Sequence, residues 1–301
     1  MTGEPEPLVS VVVPSVSGTA AVFECLAALF DQEGDVPVEV VVVDRCGETT
    51  RQAIRARFPG VRLLAAEPSS PLPAMRGRGL AAARGRMIAV LGEHLRPGRV
   101  WLRTIGAAHQ DGREVVGGPI ESGALRRSAE WAFFLSEYAA FLPPVRPDRS
   151  GPIAGSNCAY TRVALDRVGA RTGGDVWDSE LAECLRAAGA RFASDPGLSV
   201  RAEKRLGVAH LLVQRHHCSR SFGARRSRGW PVWKRMAFVA ATPLVAPLVL
   251  ARIVRAVASR RRHRSALLRA LPLLAVTSLV WAMSEAAGVL CGAGPSPGRL
   301  E

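Results

Sequence analysis

The chain has 301 residues, 48% of them apolar, which suits one sizeable domain with an appendage or two modest domains. Its net charge is +14, yet residues 201–264 hold 16 Arg and Lys against one acid, Glu203, so the excess belongs to a single segment. Six cysteines without a C-x-x-C pair argue against a zinc site or a disulfide framework, and the acidic start MTGEPEP lacks the charge of a signal peptide, so reduced thiols and a cytoplasmic folded part are expected.

Residues 8–14 (LVSVVVP) form an apolar, β-branched run ended by proline, and residues 20–30 follow with helical periodicity. A second run at 38–44 (VEVVVVD) precedes a helix over 49–58. Residues 61–65 make a short third strand, 72–84 a third helix and 86–91 (RMIAVL) a fourth strand. Strands that are apolar on both faces and alternate with helices predict an α/β fold with a mainly parallel sheet covered on both sides. Ligands bind beyond the carboxyl ends of such strands, which singles out Pro14-Ser15, Asp44-Arg45 and Gly92-Glu93-His94. An Asp and a Glu placed there suit a sugar nucleotide and its cation, though plain strand-ending turns use the same residues. No Gly-x-Gly-x-x-Gly follows the first strand, which argues against a dinucleotide enzyme.

Further on, 98–109 reads as a helix, 114–121 as a strand and 124–142 as a long apolar helix whose aromatics serve the core or line an acceptor groove. Residues 142–151 (LPPVRPDRSG) read as a Pro-rich loop, expected to move. Gly173-Gly174 then precede a helix opened by Asp178 and Glu180, with Leu181, Leu185 and Ala188 at helical spacing before Gly189. Acids in a first turn complement the helix dipole whether or not they also do chemistry.

The tail is basic and apolar by turns. Residues 211–228 mix arginines with apolar positions, and Trp230 and Trp233 precede a 16-residue apolar run at 236–251 containing Pro243 and Pro247. After a basic stretch at 260–264 comes 267–290, 24 mostly apolar residues, long enough to cross a bilayer. The first run is short and flanked by positive charge, so it is expected to be re-entrant or interfacial, leaving 267–290 as the one crossing. A basic segment between aromatics and apolar runs fits anionic lipid better than nucleic acid. Glu285, inside the second run, is costly unless paired or near the interface. The expected division is a domain at 1–210, a basic amphipathic linker at 211–235 and a membrane-associated helical region at 236–301.

One ordered set of motifs carries a resemblance. VSVVVPS at 9–15, VEVVVVD at 38–44, AMRGRGLAAARG at 74–85, LGEH at 91–94, IAGSNCAYTR at 153–162 and WDSEL at 177–181 together resemble the family 2 glycosyltransferases, whose catalytic domain has the GT-A fold. The resemblance spans roughly residues 8–230. It implies donor-nucleotide contacts at Pro14, Asp44, Arg76 and Glu93, an acceptor side at Gly155, Ser156, Asn157 and Trp177, and a general base at Asp178. Gly92-Glu93-His94 falls in the Asp-x-Asp slot, so Glu93 and His94 are the implied ligands of Mg²⁺ or Mn²⁺, with less charge because Gly92 and His94 stand where the family has acids. Trp177 likewise stands where the family often has Glu. Arg215 and Arg220 fall where membrane-bound relatives carry cations near the donor diphosphate. The implied activity is inverting transfer from a nucleotide sugar to a lipid-linked or envelope-polysaccharide acceptor at the cytoplasmic face of the cell membrane. A catalytically silent GT-A-like protein that binds a nucleotide sugar or scaffolds a membrane complex is the second reading.

Overall fold

Valine-rich runs build the centre of the sheet, because stiff β-branched side chains pack well on a pleated surface covered on both faces. The computed structural model describes residues 7–145, 153–171 and 173–300. In it β1 (Val9–Ser15), β2 (Val38–Asp44) and β3 (Val61–Ala65) pair in parallel, each followed by a helix: α1 (Thr19–Phe30), α2 (Glu48–Arg57) and α3 (Leu72–Ala82). β4 (Met87–Leu91) lies parallel on the other side of β1, and every residue of β1 and β4 is buried. These elements match the sequence reading to within a residue or two.

Beyond β4 the chain departs from simple alternation. β5 (Leu95–Pro97) and α4 (Trp101–Gln110) lead to β6 (Val115–Gly117) and β7 (Ile120–Ser122), and α5 (Ser128–Tyr138) follows. Then come β8 (Asn157–Thr161), α6 (Arg162–Arg167), α7 (Asp178–Ala187), β9 (Phe192–Ser194) and β10 (Val200–Ala202). The large sheet has the order β3-β2-β1-β4-β8-β6-β9, with β8 antiparallel to both neighbours; β5, β10 and β7 form a second sheet. The strand expected at 114–121 is therefore two strands in two sheets. It breaks at Gly118-Pro119, where proline has no N–H to give a ladder and a Cβ on Gly118 would sit 2.3 Å from the Leu198 carbonyl oxygen. Of the expected moving loop, residues 146–151 lie outside the described residues.

The chain divides into two compact units, residues 1–123 with 141–203 and residues 124–140 with 204–301. The first is the α/β unit. The second is helical and takes α5 together with α8 (Val208–Arg226), α9 (Val232–Ala240), α10 (Thr242–Arg260) and α11 (Arg264–Cys291). Within it α11 packs against α8, α10 and α5, and its buried positions include Leu274, Ala282, Glu285 and Val289. Glu285 is paired rather than bare: Arg226 Nη1 donates to it at 2.6 Å and Trp281 Nε1 at 2.8 Å.

The first apolar run of the tail splits at Ala241. Pro243, in the first turn of α10, has no N–H to lose there and favours a helix start, so α10 runs on to Arg260. At 19 residues it spans about 28 Å at 1.5 Å per residue, longer than its apolar run suggested. By length and composition alone, α10 and α11 are both long and apolar enough to cross a membrane. Val232 and Trp233 on α9, Leu244 and Leu248 on α10, and Leu268 and Met283 on α11 are exposed, an apolar surface larger than isolated residues account for.

Candidate active site

The carboxyl ends of β1, β2 and β4 carry the sequence-predicted acids, and the structure gives each acid a local task. Asp44, the last residue of β2, is fully buried. It accepts hydrogen bonds from Ser15 Oγ at 2.9 Å, from the Cys46 and Gly47 amides at 3.3 and 3.2 Å, and from Arg51 Nη1 at 3.1 Å. This Asx-type turn fixes the loop into α2. Arg51, which the sequence reading did not single out, thus completes the Asp44 corner; its only signal was its place one turn into the helix that the acid precedes. Pro14 is buried within β1, in register with Val43.

Glu93 follows β4 and is 2% exposed. Its two oxygens accept the Val16 and Ser17 amides at 3.0 and 2.7 Å, so the carboxylate secures the loop after β1. His94 is half-buried beside it, and Cys25, whose thiol burial pushes up to about 12, lies under the Gly92 carbonyl. Among the described residues no three His, Cys, Asp or Glu side chains converge on a point that a cation could occupy. Both Glu93 oxygens hold backbone N–H groups and no acid flanks Glu93 in the chain, so Glu93 and His94 make a smaller donor set than two acids would, one that needs the oxygens of a bound diphosphate to complete a cation's shell.

A different pair is brought together instead. Arg76, on α3, meets Asp178, the first residue of α7, at 2.8 Å, and Arg76 Nε is buried without an acceptor among the described residues. The approach depends on missing side chains. A Cβ on Gly155 would lie 2.0 Å from Asp178 Cγ, and one on Gly77 would lie 1.7 Å from the Gly174 carbonyl oxygen. The 173–178 loop therefore lies directly on α3, tied further by the Val176 amide donating to the Pro73 carbonyl at 3.0 Å. Trp177 caps α7 from an extended conformation and is half-buried. Under Asp178, Cys158 Sγ donates to Tyr160 Oη at 2.9 Å; burial pushes the Cys158 thiol up to about 12 and the Tyr160 phenol well above its ordinary value, with the Asp178 charge adding to both.

The segment 155–157 is divided in its duties. The Ser156 carbonyl accepts the Gly92 amide at 2.9 Å, which joins the Asp-x-Asp slot to the Asp178 side. Asn157 is fully buried and its carboxamide is used up: Trp101 Nε1 donates to Oδ1 at 3.0 Å, and Nδ2 donates to the Gly118 and Leu198 carbonyls at 3.3 and 2.9 Å. Its side chain ties α4 to the Gly118 and Leu198 carbonyls inside the core. Arg215 and Arg220 belong to the helical unit. Arg215 pairs with Glu137 at 2.9 Å, and Arg220 Nε donates to the Gly292 carbonyl at 3.0 Å, satisfying the free end of α11.

A mainly parallel sheet with its charged side chains gathered at the strand ends, extended by one antiparallel strand, is a GT-A type of nucleotide-diphospho-sugar transferase fold. The chain belongs to glycosyl transferase family 2, whose family model matches residues 10–169. A mannosyltransferase, PcManGT from Pyrobaculum calidifontis, solved with GDP-Man and Mn²⁺, shares the fold with a TM-score of 0.55 at 18% identity, over 95% of this chain and 87% of that one. S. aureus TarS 1-349 shares it with a TM-score of 0.52 at 16% identity, over 93% and 90%. In sequence, the chain is 36% identical over 110 residues to the uncharacterized protein MT1568 of Mycobacterium tuberculosis, over 35% of this chain and 34% of that protein. It is 38% identical over 98 residues to the succinoglycan biosynthesis protein ExoO of Rhizobium meliloti, over 31% and 28%. The chain thus spans about a third of the length of the curated relatives it matches.

Proposed function

We propose that the protein is an inverting glycosyltransferase. It moves a sugar from a nucleotide-diphosphate donor to a lipid-linked or envelope-polysaccharide acceptor at the cytoplasmic face of the membrane. The observation that carries this reading is the Arg76–Asp178 pair, set at the start of α7 with Gly155 making room for it, in a chain of this family. Asp178 takes the proton of the acceptor hydroxyl as the acceptor oxygen bonds to the anomeric carbon and the bond to the diphosphate breaks, the electron pair leaving with the nucleoside diphosphate. Arg76, with a buried Nε still open, is positioned to hold Asp178 and to face the charge that develops on the leaving group. The step is carried by the chain's own residues, and Glu93 and His94 are the ones that would hold a cation against the donor diphosphate. The exposed apolar residues of α9 to α11 and the surrounding arginines support a lipid surface as the place of work.

The test is a screen of nucleotide sugars for hydrolysis or transfer by the full chain in detergent, with and without Mn²⁺. Transfer supports the reading as given, and EDTA shows whether a cation takes part. Donor binding without turnover by any acceptor would favour the silent, nucleotide-sugar-binding protein, to which the engaged state of Glu93 also lends support.

A further inference from the structure

The helix α11 has 28 residues, about 42 Å at 1.5 Å per residue, so its length alone suits a crossing. Its two ends are held in a way that a crossing does not allow. The ring of His263, the residue before α11, lies 5.1 Å from that of Trp131 and 6.0 Å from that of Phe134, both on α5. Trp131 is only about 6 Å of helix past Arg127, and Arg126 stands beside Arg127 in the connection into α5. Two arginines keep that end of α5 in water or among headgroups, and His263 with it.

At the other end α11 crosses α8 at two glycines. A Cβ on Gly288 would lie 2.1 Å from the Arg220 carbonyl oxygen, and one on Gly223 would lie 2.2 Å from that of Glu285. The segment after α11 then runs along α8. Arg220 Nε donates to the Gly292 carbonyl at 3.0 Å, His217 Nδ1 and the Ser296 hydroxyl share a hydrogen bond at 3.1 Å, and Gln214 Nε2 donates to the Arg299 carbonyl at 3.2 Å. With Arg215, Arg220, Arg225, Arg226 and three histidines in 19 residues, α8 is too polar for hydrocarbon. Both ends of α11 therefore belong on the same side of a bilayer.

Between those ends α11 is two-faced. Leu268, Pro272, Val276, Leu279, Met283 and Leu290 are exposed at helical spacing and form a single apolar stripe. From Pro272 to Leu290 the one charged residue is Glu285, which is turned inward and 2% exposed. The opposite side meets α8, where His216 Nδ1 and the Ser284 hydroxyl share a hydrogen bond at 2.8 Å and Arg215 lies over the Trp281 ring at 5.2 Å. Apolar stripe on one side and a charged helix on the other is the pattern of a helix that lies along a membrane surface rather than through it.

We propose that α11 lies in the plane of the membrane with this stripe immersed in one leaflet, so that α10 and α11 make a monotopic anchor with no full crossing. The outward face of α10 agrees. Its exposed residues are apolar at Leu244, Pro247 and Leu248 and basic at Arg252 and Arg255, so that face returns to the headgroups about halfway along. This replaces the single crossing that the apolar run at 267–290 suggests. It concerns where the chain sits, and it holds whether or not the chain transfers sugar.

The test uses the full chain in vesicles of phosphatidylethanolamine and phosphatidylglycerol, with Cys46, Cys184, Cys218 and Cys291 replaced and a nitroxide attached in turn through Leu268→Cys, Leu279→Cys and Leu290→Cys. These positions are exposed on the stripe, so the label displaces no packing. Its depth is read by electron paramagnetic resonance, from relaxation by oxygen, which concentrates in lipid, and by a nickel chelate, which stays in water. All three labels should lie at one depth, about 5–10 Å below the headgroups. In a crossing helix Leu268 and Leu290 are about 33 Å apart along the axis. Their labels would then surface at opposite faces with that of Leu279 at the centre, which overturns the proposal. Full access of the nickel chelate to all three overturns it too, since the stripe would lie in water. So does spin–spin broadening that unlabelled chain dilutes away, which would put a second copy of the chain on the stripe. A variant with a lowered thermal midpoint is replaced by Val276→Cys or Met283→Cys, which sit on the same stripe.

Discussion

Asp178 is held by an arginine in front and a glycine behind, so its carboxylate has little freedom to turn. Asp178→Asn keeps that shape and removes the basicity, and it should lower kcat by about 10² to 10⁴-fold with donor affinity nearly unchanged. Steady-state rates beside donor titrations check this; wild-type turnover would remove Asp178 from the role or point to a phosphate acceptor, which needs no base. Gly155→Ala works through space instead. A Cβ 2.0 Å from Asp178 Cγ must push the carboxylate aside, and displacement of about 1 Å is enough to cost about 10²-fold in rate. A third expectation concerns acid. Burial pushes the Glu39 carboxyl up, but hydrogen bonds from Ser10 Oγ and from the Arg84 amide and guanidinium outweigh it and hold the group below its ordinary 4.5. A carboxylate with a lowered folded value stabilises above its unfolded value and loses that contribution as pH falls through the folded one. The melting temperature should therefore fall as pH drops below 4.5, and Glu39→Gln should make that fall shallower. The sequence named Arg76 and Asp178 separately, because each sits in a motif; that they meet depends on Gly155 and Gly77, whose absent side chains carry no pattern in the chain. Asn157 looked like an acceptor residue for the opposite reason, since its motif hides that its carboxamide is used inside the core.

Among the elements, β1, β2 and β4 were legible because burial on both faces writes a run of branched apolar residues that few other structures need. The three-residue strands β5, β9 and β10 were not, since so short a segment has no periodicity to read. The α10 helix is the instructive case: its apolar run looked too short to cross, while the helix itself is 19 residues long. Charge still argues for keeping the basic end of α10 with the α/β unit on the cytoplasmic side. A cysteine at Ser259, which is exposed, in a chain with Cys46, Cys184, Cys218 and Cys291 replaced, reports directly. An impermeant thiol reagent added to intact cells should leave it unlabelled. Labelling would place the basic turn outside and make α10 a full crossing.

At the scale of the whole chain, the helical unit draws on two distant segments, 124–140 and 204–301. Ending the chain at residue 235, after what the sequence marks as a linker, would therefore strip α10 and α11 from α5 and α8 and leave their apolar faces uncovered. Such a chain should aggregate without detergent. Joining residue 123 to residue 141 through a flexible linker and stopping at 203 retains the α/β unit alone, and this version should be monomeric and soluble by gel filtration and show one cooperative melt. Aggregation of the second version would mean that the α/β unit does not stand by itself.

The place of β8 also sets a timetable for synthesis. It fills the gap between β4 and β6, and Asn157 at its head fastens carbonyls as far along as Leu198. A nascent chain that has emerged only to residue 145 thus has β4, five buried apolar residues, as an open edge with no partner on that side. Unpaired apolar edges invite pairing with other chains. The sheet closes only after nearly 200 residues have left the ribosome, so a stall between α5 and β8 is the interval in which this protein is most exposed to misassembly.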